Sequence, residues 1–226
     1  MLNNKQFKLL LENIQSREET VALLKKYNIE NYIINDDGSI DVNENIYLNN
    51  KKLTKLPFKF GKVEGYFTCF NNKLINLDGA PKIIKGDFNC SSNRLTSLKG
   101  APQNIEGNFH CDTNQLVNLE GAPQIIKGNF NCSYNQLINL IGAPKEVKKD
   151  FICYSNKLIS LEGAPEILLG GFWLLRSGWE RLKKLKPELE PEKEVTLDDI
   201  TDTYGDKFSI NIKDFLYKDN RLILQR

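Results

Sequence analysis

Apolar positions along the middle of this chain recur every 21 residues rather than with the two-residue or 3.6-residue period of a single strand or helix. Phe67, Phe88, Phe109, Phe130 and Phe151 head the series, and Cys69, Cys90, Cys111, Cys132 and Cys153 follow two residues later. Read against each other, the copies give G-x-F-x-C-x-x-N-x-L-x-x-L-x-G-A-P-x-x-I/V-x, the first clear copy at 65–85 and the last complete one at 149–169, where Lys149 and Leu168 depart from it. Alternation across Phe-x-Cys predicts a short strand whose Phe and Cys face inward and whose intervening residue faces out. A fixed period of this length predicts a solenoid in which equivalent strands pair in parallel, and one copy cannot bury its apolar side without the next. At roughly 4.8 Å per strand, the stack makes a sheet on the order of 30 Å long.

The frame extends beyond the clear copies. Ile46, Leu48, Leu53, Leu56 and Val63 fill the Phe, Cys, Leu, Leu and Ile positions of a degenerate upstream copy, although Lys51 stands where the asparagine belongs. Phe172 and Leu174 continue the Phe and Cys columns downstream, and Ser177 replaces the asparagine. The solenoid is therefore read as 44–178, about six copies and a fragment. Asn72, Asn93, Asn114, Asn135 and Asn156 form a ladder, their amides placed to satisfy buried backbone groups of their own and neighbouring copies. Gly79, Gly100, Gly121, Gly142 and Gly163, each followed by Ala-Pro, turn the chain on the far side. So short a period leaves little room for a helix there, which predicts a flattened, gently curved coil.

Residues 1–43 read as an N-terminal cap. Phe7, Leu10, Leu11 and Ile14 share one helical face; Ser16 and Glu19 form a capping box opening a second helix with Val21, Leu24 and Tyr27 on one side. YIINDDGSIDV reads as a hairpin, with Asp37-Gly38 suited to a type I′ turn. Residues 179–226 read as a C-terminal cap: a charged, helix-like stretch broken by Pro187 and Pro191, then KFSINIKDFLYKDNRLILQR as a final strand or helix against the last copy.

The core F-x-C-x-x-N-x-L-x-x-L resembles the L-x-L-x-x-N-x-L-x-x-L core of leucine-rich repeats, with Phe and Cys in place of two leucines. The short period and the proline after the last leucine resemble the bacterial type. DGSIDV and LTKLPFKFGKVEG are similar to repeat proteins encoded by tailed bacteriophages. The resemblance implies an α+β repeat solenoid, a right-handed leucine-rich-repeat-like coil with a short parallel sheet, a helical N-terminal cap and a C-terminal cap. It also implies a habit of binding proteins, with a host defence or regulatory factor as a partner if the phage likeness holds.

Composition adds boundaries. The chain has 226 residues, 40% hydrophobic and 27% charged, with net charge +2, which fits a folded globular protein. Its first residues lack a signal-peptide apolar run, and no stretch approaches the roughly 20 apolar residues of a membrane span, so a cytoplasmic protein is expected. The abundant lysine and asparagine fit an AT-rich bacterial, phage or other viral genome.

The chemistry-bearing residues do not assemble into an active site. The odd number of cysteines falls in a column predicted to be buried, and no C-x-x-C pair supports zinc. His110, the one histidine, points away from Cys111 by alternation, so a Cys-His pair is not expected. Residues 179–226 contain no cysteine for the ubiquitin ligase that some bacterial repeat proteins carry. No G-x-x-x-x-G-K-[ST] loop occurs, and Asp198, Asp199, Asp202 and Asp206 do not fit a calcium loop. Thr196 before Asp198-Asp199 reads as a helix start. No enzyme, cofactor or metal is expected.

The informative surface is the outward side of the strands. Its middle is polar and its ends carry aromatic residues, and Tyr66, Phe70, Asn89, His110, Asp112, Asn131, Tyr154 and Trp173 are the candidate partner-binding residues. Trp173 and Leu175 stand where the C-terminal cap would cover them. Nucleic acid is disfavoured because lysines such as Lys82, Lys85, Lys127, Lys145 and Lys148 fall on turns and the far side. The expected function is a non-catalytic module binding a partner protein on the strand face. A carbohydrate-binding module and a structural, self-assembling component are the alternatives.

Overall fold

The computed structural model describes residues 16–175, 207–210, 215–218 and 221–224, with side chains over 16–174. The Phe-x-Cys segments form one continuous ladder: Ile46–Tyr47, Phe67–Thr68, Phe88–Asn89, Phe109–His110, Phe130–Asn131, Phe151–Ile152 and Phe172–Leu175. All are parallel, and each residue lies opposite its equivalent in the next copy, as Phe88 opposite Phe109 and Asn89 opposite His110. The eighth strand, Lys207–Ile210, closes one edge of this sheet by pairing antiparallel to Phe172–Leu175.

The far side departs from the expected α+β arrangement. Phe60–Val63, Ile83–Ile84 and Asn104–Ile105 pair in parallel, and so do Ile125–Ile126, Glu146–Val147 and Ile167–Leu168. This second ladder is two stretches of sheet, with no strand pairing between Asn104–Ile105 and Ile125–Ile126. The coil is a parallel β-solenoid of about six turns with little helix. The physical reason lies in pairs such as Ile83-Ile84: Ile84 is buried while Ile83 faces out, so an in-out alternation gives each turn a second short strand.

At the N-terminal end residues 16–26 are helical. Leu24 is buried, Leu23 and Tyr27 pack partly against the core, and Tyr27 meets Phe58 edge-to-face. Val21, expected on the same side, is exposed. The expected first helix, with Phe7, Leu10, Leu11 and Ile14, lies outside the described residues. Tyr32–Ile34 and Ile40–Val42 form an antiparallel hairpin, but its turn is not type I′. Gly38 N–H bonds to Asn35 C=O and Asn35 N–H to Ser39 C=O, and in the loop only Gly38 has positive φ, at 74°. This is a three-residue connection with a left-handed glycine at its end. Of the C-terminal expectations, 176–206 lie outside the described residues, including Ser177, Pro187, Pro191, Thr196 and the four aspartates named above. Phe215–Lys218 and Arg221–Leu224 form a separate antiparallel pair.

One column of rings fills the interior. Phe67, Phe88, Phe109, Phe130, Phe151 and Phe172 are fully buried, with adjacent centroids 5.2–5.8 Å apart. The asparagine ladder holds the bend after each strand. Asn114 Nδ2 donates to the carbonyls of Cys90, Cys111 and Asp112, and its Oδ1 accepts from Leu95 N–H at 3.0 Å. One amide thus saturates groups in two turns. Asn93, Asn135 and Asn156 repeat the pattern. Asn72 reaches back to serve the degenerate copy, whose own position holds Lys51: its Oδ1 accepts from Lys51 N–H and Leu53 N–H.

On the far side Ala122 N–H bonds to Leu119 C=O across a turn whose Gly121 has φ of 95°. A Cβ on Gly121 would lie 2.5 Å from the Leu98 carbonyl carbon, so the position requires glycine for its dihedral and for the closeness of the preceding turn.

Asn114→Leu leaves a buried N–H and several buried carbonyls without partners and is expected to cost about 3 kcal/mol or more in urea unfolding. Gly121→Ala, combining left-handed strain with a backbone clash, is expected to cost about as much, whereas Gln124→Ala on the exposed surface is expected to stay within about 0.5 kcal/mol of the parent.

Candidate functional site

Three columns of side chains leave the first ladder outward. The column before each Phe is a second hydrogen-bonding ladder. Asp87 Oδ1 accepts from Asn108 N–H at 2.7 Å, Asn108 Oδ1 from Asn129 N–H, Asn129 Oδ1 from Asp150 N–H, and Asp150 Oδ1 from Gly171 N–H. Tyr66 interrupts the series because a phenol cannot make this short backbone contact. Its ring lies across Gly86, where a Cβ would come within 2.6 Å of Cδ1, and the residue remains 48% exposed.

The column between Phe and Cys begins with exposed Tyr47 and ends with half-buried Trp173. Between them Asn89 and Asn131 each accept, through Oδ1, the N–H two residues on, from Ser91 and Ser133. His110 is partly exposed on this column, and Cys111 beside it is fully buried. Cys111 directs its thiol to the Asn131 carbonyl at 3.3 Å.

The column after Cys contains the densest side-chain contacts of the face. Asp112 Oδ1 accepts from Ser91 Oγ at 2.6 Å and from Asn131 Nδ2 at 3.2 Å, and its Oδ2 accepts from Thr113 Oγ1 at 3.3 Å. One turn on, Ser133 is 1% exposed, and its Oγ has no hydrogen-bond partner among the described residues. One further turn brings Tyr154, whose ring meets Tyr134 edge-to-face at 6.1 Å.

Of the residues singled out from sequence, Asp112 and Asn131 are therefore bonded to one another. Asn89 and His110 sit on the adjoining column, and Tyr66 and Phe70 lie near one end of the face. Tyr154 and Trp173 lie near the other, about 20 Å from Tyr66 at roughly 4.8 Å per turn. Trp173 lies on the strand that Lys207–Ile210 pairs with, opposite Ser209.

Tyr134 and Ser133 are not among the candidates that the sequence pattern singles out. Tyr134 occupies the position before the ladder asparagine, which is left-handed in every copy: φ is 53–59° at Asn50, Asn71, Ser92, Thr113, Tyr134 and Ser155. A bulky ring among small or amide side chains in a column was visible in the sequence as an exception. Ser133 gave no such signal.

Charge is segregated. The three outward columns carry Asp87, Asp112 and Asp150 and neither lysine nor arginine over 45–174. Described cations pair elsewhere: Lys85 with Glu106 at 2.7 Å, Lys127 with Glu106 at 3.6 Å, Lys59 with Asp37 at 2.7 Å, and Lys148 with Glu146. Lys59 and Ser39 hold the Asp37 carboxyl well below the usual carboxylate range.

The cysteines form an internal column. Cys90, Cys111, Cys132 and Cys153 each donate their S–H to a carbonyl in the next turn, at 3.3–3.5 Å. Burial pushes the Cys69 thiol up to about 12 and raises the other four well above the ordinary range. Among the described residues no three His, Cys, Asp or Glu side chains converge on a possible metal position, and no helix is long and apolar enough to cross a membrane.

Comparison with protein families, with characterised proteins and with solved structures gives no match to this chain.

Because each thiol is protonated in the folded coil and ionises near 8.5 when unfolded, its contribution to stability is complete below that value. It is lost as pH rises toward the folded-state pKa. Each thiol contributes a slope of about 1.4 kcal/mol per pH unit in that window. Urea midpoints are therefore expected to fall steeply above about pH 9, and Cys111→Ala is expected to lose stability at neutral pH while showing a shallower alkaline decline.

Proposed function

We propose that this protein is a non-catalytic interaction module that binds a partner protein across the outward side of its first ladder. The observation that carries the reading is the surface itself: a continuous in-register sheet with exposed aromatic rings toward its ends and a polar, hydrogen-bonded middle. Exposed Tyr47 and Tyr66 supply rings at one end, and exposed Tyr134 packed against half-buried Tyr154 supplies them toward the other. Aromatic side chains provide large contact area with few rotatable bonds and dominate many interfaces. The Asn and Asp columns fix the backbone beneath them, so little ordering entropy is lost when a partner docks.

The leucine-rich-repeat resemblance supports the same reading, since such coils work by presenting a surface. On the phage likeness the partner is a host protein, met in the cytoplasm. Carbohydrate binding is the second reading, favoured by the same juxtaposition of rings and amides, which suits stacking of sugar faces and hydrogen bonding to hydroxyls.

The test is capture from lysate of the native host by immobilised wild type and by a Tyr66→Ser, Tyr134→Ser, Tyr154→Ser variant of matched melting temperature, with a glycan array alongside. A protein retained by wild type and lost by the variant is the expected result. Identical catches would overturn the strand-face reading, and a glycan signal abolished by the variant would replace the protein with a sugar.

A further inference from the structure

The strand face has a chemical polarity that the rest of the surface lacks. Although the whole chain is net positive, at +2, its three outward columns carry carboxylates and no lysine or arginine over 45–174. Asp87, Asp112 and Asp150 receive hydrogen bonds from backbone N–H groups, amides and hydroxyls. Among the described residues none of them pairs with a cation, whereas the lysines of the corners and far side find glutamates.

Ser133 marks where on this face the charge is to be used. In the same column, Ser91 Oγ donates to Asp112, the residue one turn ahead. The residue one turn ahead of Ser133 is Tyr154, whose ring offers no equivalent carboxylate. The residue one turn behind is Asp112, whose Oδ1 already accepts from Ser91 and Asn131. The Ser133 hydroxyl has no partner among the described residues although it is 1% exposed. A buried hydroxyl without a partner costs on the order of 1–3 kcal/mol, and alanine or glycine would remove that cost. Asp112, Ser133 and Tyr154 follow one another at single-turn steps of roughly 4.8 Å. They set a carboxylate, a buried hydroxyl oxygen without a partner and an aromatic ring in a row.

We propose that this row receives a basic side chain, arginine or lysine, from the partner protein. The inference rests on the reading of the strand face as a protein-binding surface and names the chemistry of what it binds. Arginine and lysine are pure donors. Asp112 supplies the counter-charge, Ser133 Oγ an additional acceptor, and Tyr154 the π face against which a cation packs. Ser133 is shut off from solvent in the free protein, so its oxygen accepts from an incoming group only once the side chains that cover it move aside. Asp87 and Asp150 extend the same negative field along the sheet and favour a segment with further basic residues. Nucleic acid phosphate and acidic peptides are repelled by the same field.

The experiment uses the full chain and immobilised libraries of short synthetic peptides, identical except for a central residue fixed as Arg, Lys, Gln or Glu. Arg and Lys libraries are expected to be retained over Gln and Glu by about tenfold or more, with retention falling as NaCl rises from about 50 mM to about 500 mM. Asp112→Asn, which keeps the side-chain shape, is expected to abolish the preference. Ser133→Ala is expected to weaken Arg retention several-fold while its urea midpoint is unchanged or raised, a combination that a purely structural serine would not give. Equal retention of all four libraries, retention of none, or an undiminished Arg preference in Asp112→Asn would each overturn the proposal. If lysate capture still depends on Tyr66, Tyr134 and Tyr154 under those outcomes, the strand-face reading stands and only the basic partner falls. Loss of both fells both.

Discussion

The coil depends on one recurring solution to one problem: a chain that bends after every two-residue strand exposes backbone groups inside a core that contains no water-like partners. A carboxamide carries donors and an acceptor on a single planar group, and Asn93, Asn114, Asn135 and Asn156 use both ends at once. Their Nδ2 groups bind carbonyls of their own turn and of the preceding one, and their Oδ1 atoms accept the N–H of a leucine in the preceding copy. An aspartate offers no donor and a leucine offers neither. The inward Phe column and the thiol column supply apolar burial, and the amides satisfy the backbone groups that this burial would otherwise leave without partners.

On that frame, the two sides of the first ladder have opposite characters. Inside, chemically identical residues stack on themselves, phenylalanine on phenylalanine and cysteine beneath cysteine. Outside, the residue between them changes at every step, from Tyr47 through Thr68, Asn89, His110, Asn131 and Ile152 to Trp173. The interior is thus a constant and the exterior a variable, the arrangement by which a repeat scaffold acquires a particular surface without a new fold.

The pattern of Phe, Cys, Leu and Asn made the first ladder, its register and its inward columns legible before any coordinates, because a strict period over many copies leaves one arrangement that buries all of them. The second ladder was not legible. Pairs such as Ile83-Ile84 and Glu146-Val147 are too short for alternation to register as a period, and only the stacking of whole turns makes them strands. The hairpin turn was misread for a related reason: Asp37-Gly38 fits several turn types, and the hydrogen bonds of Asn35 select among them. On the surface, the aromatic ends and the polar middle were visible as composition. The bonds from Asp87, Asn108, Asn129 and Asp150 to the next turn, and the isolation of Ser133, arise from what stands one turn away and emerge only once neighbours across the ladder are known.

The offset of the ladder bonds has a last consequence. Asp87 to Asn108, Asn108 to Asn129 and Asn129 to Asp150 all join residues 21 apart, so an interior turn meets the same chemistry above and below. The corner glycines Gly86, Gly107 and Gly128 provide equivalent seams. A whole copy spliced in or out between two such seams leaves the remaining interior contacts closed and changes the length of the coil by roughly 4.8 Å. The coil therefore works as a vernier: each whole copy added or removed slides the two aromatic ends apart or together by a fixed step while the packing inside stays as it was.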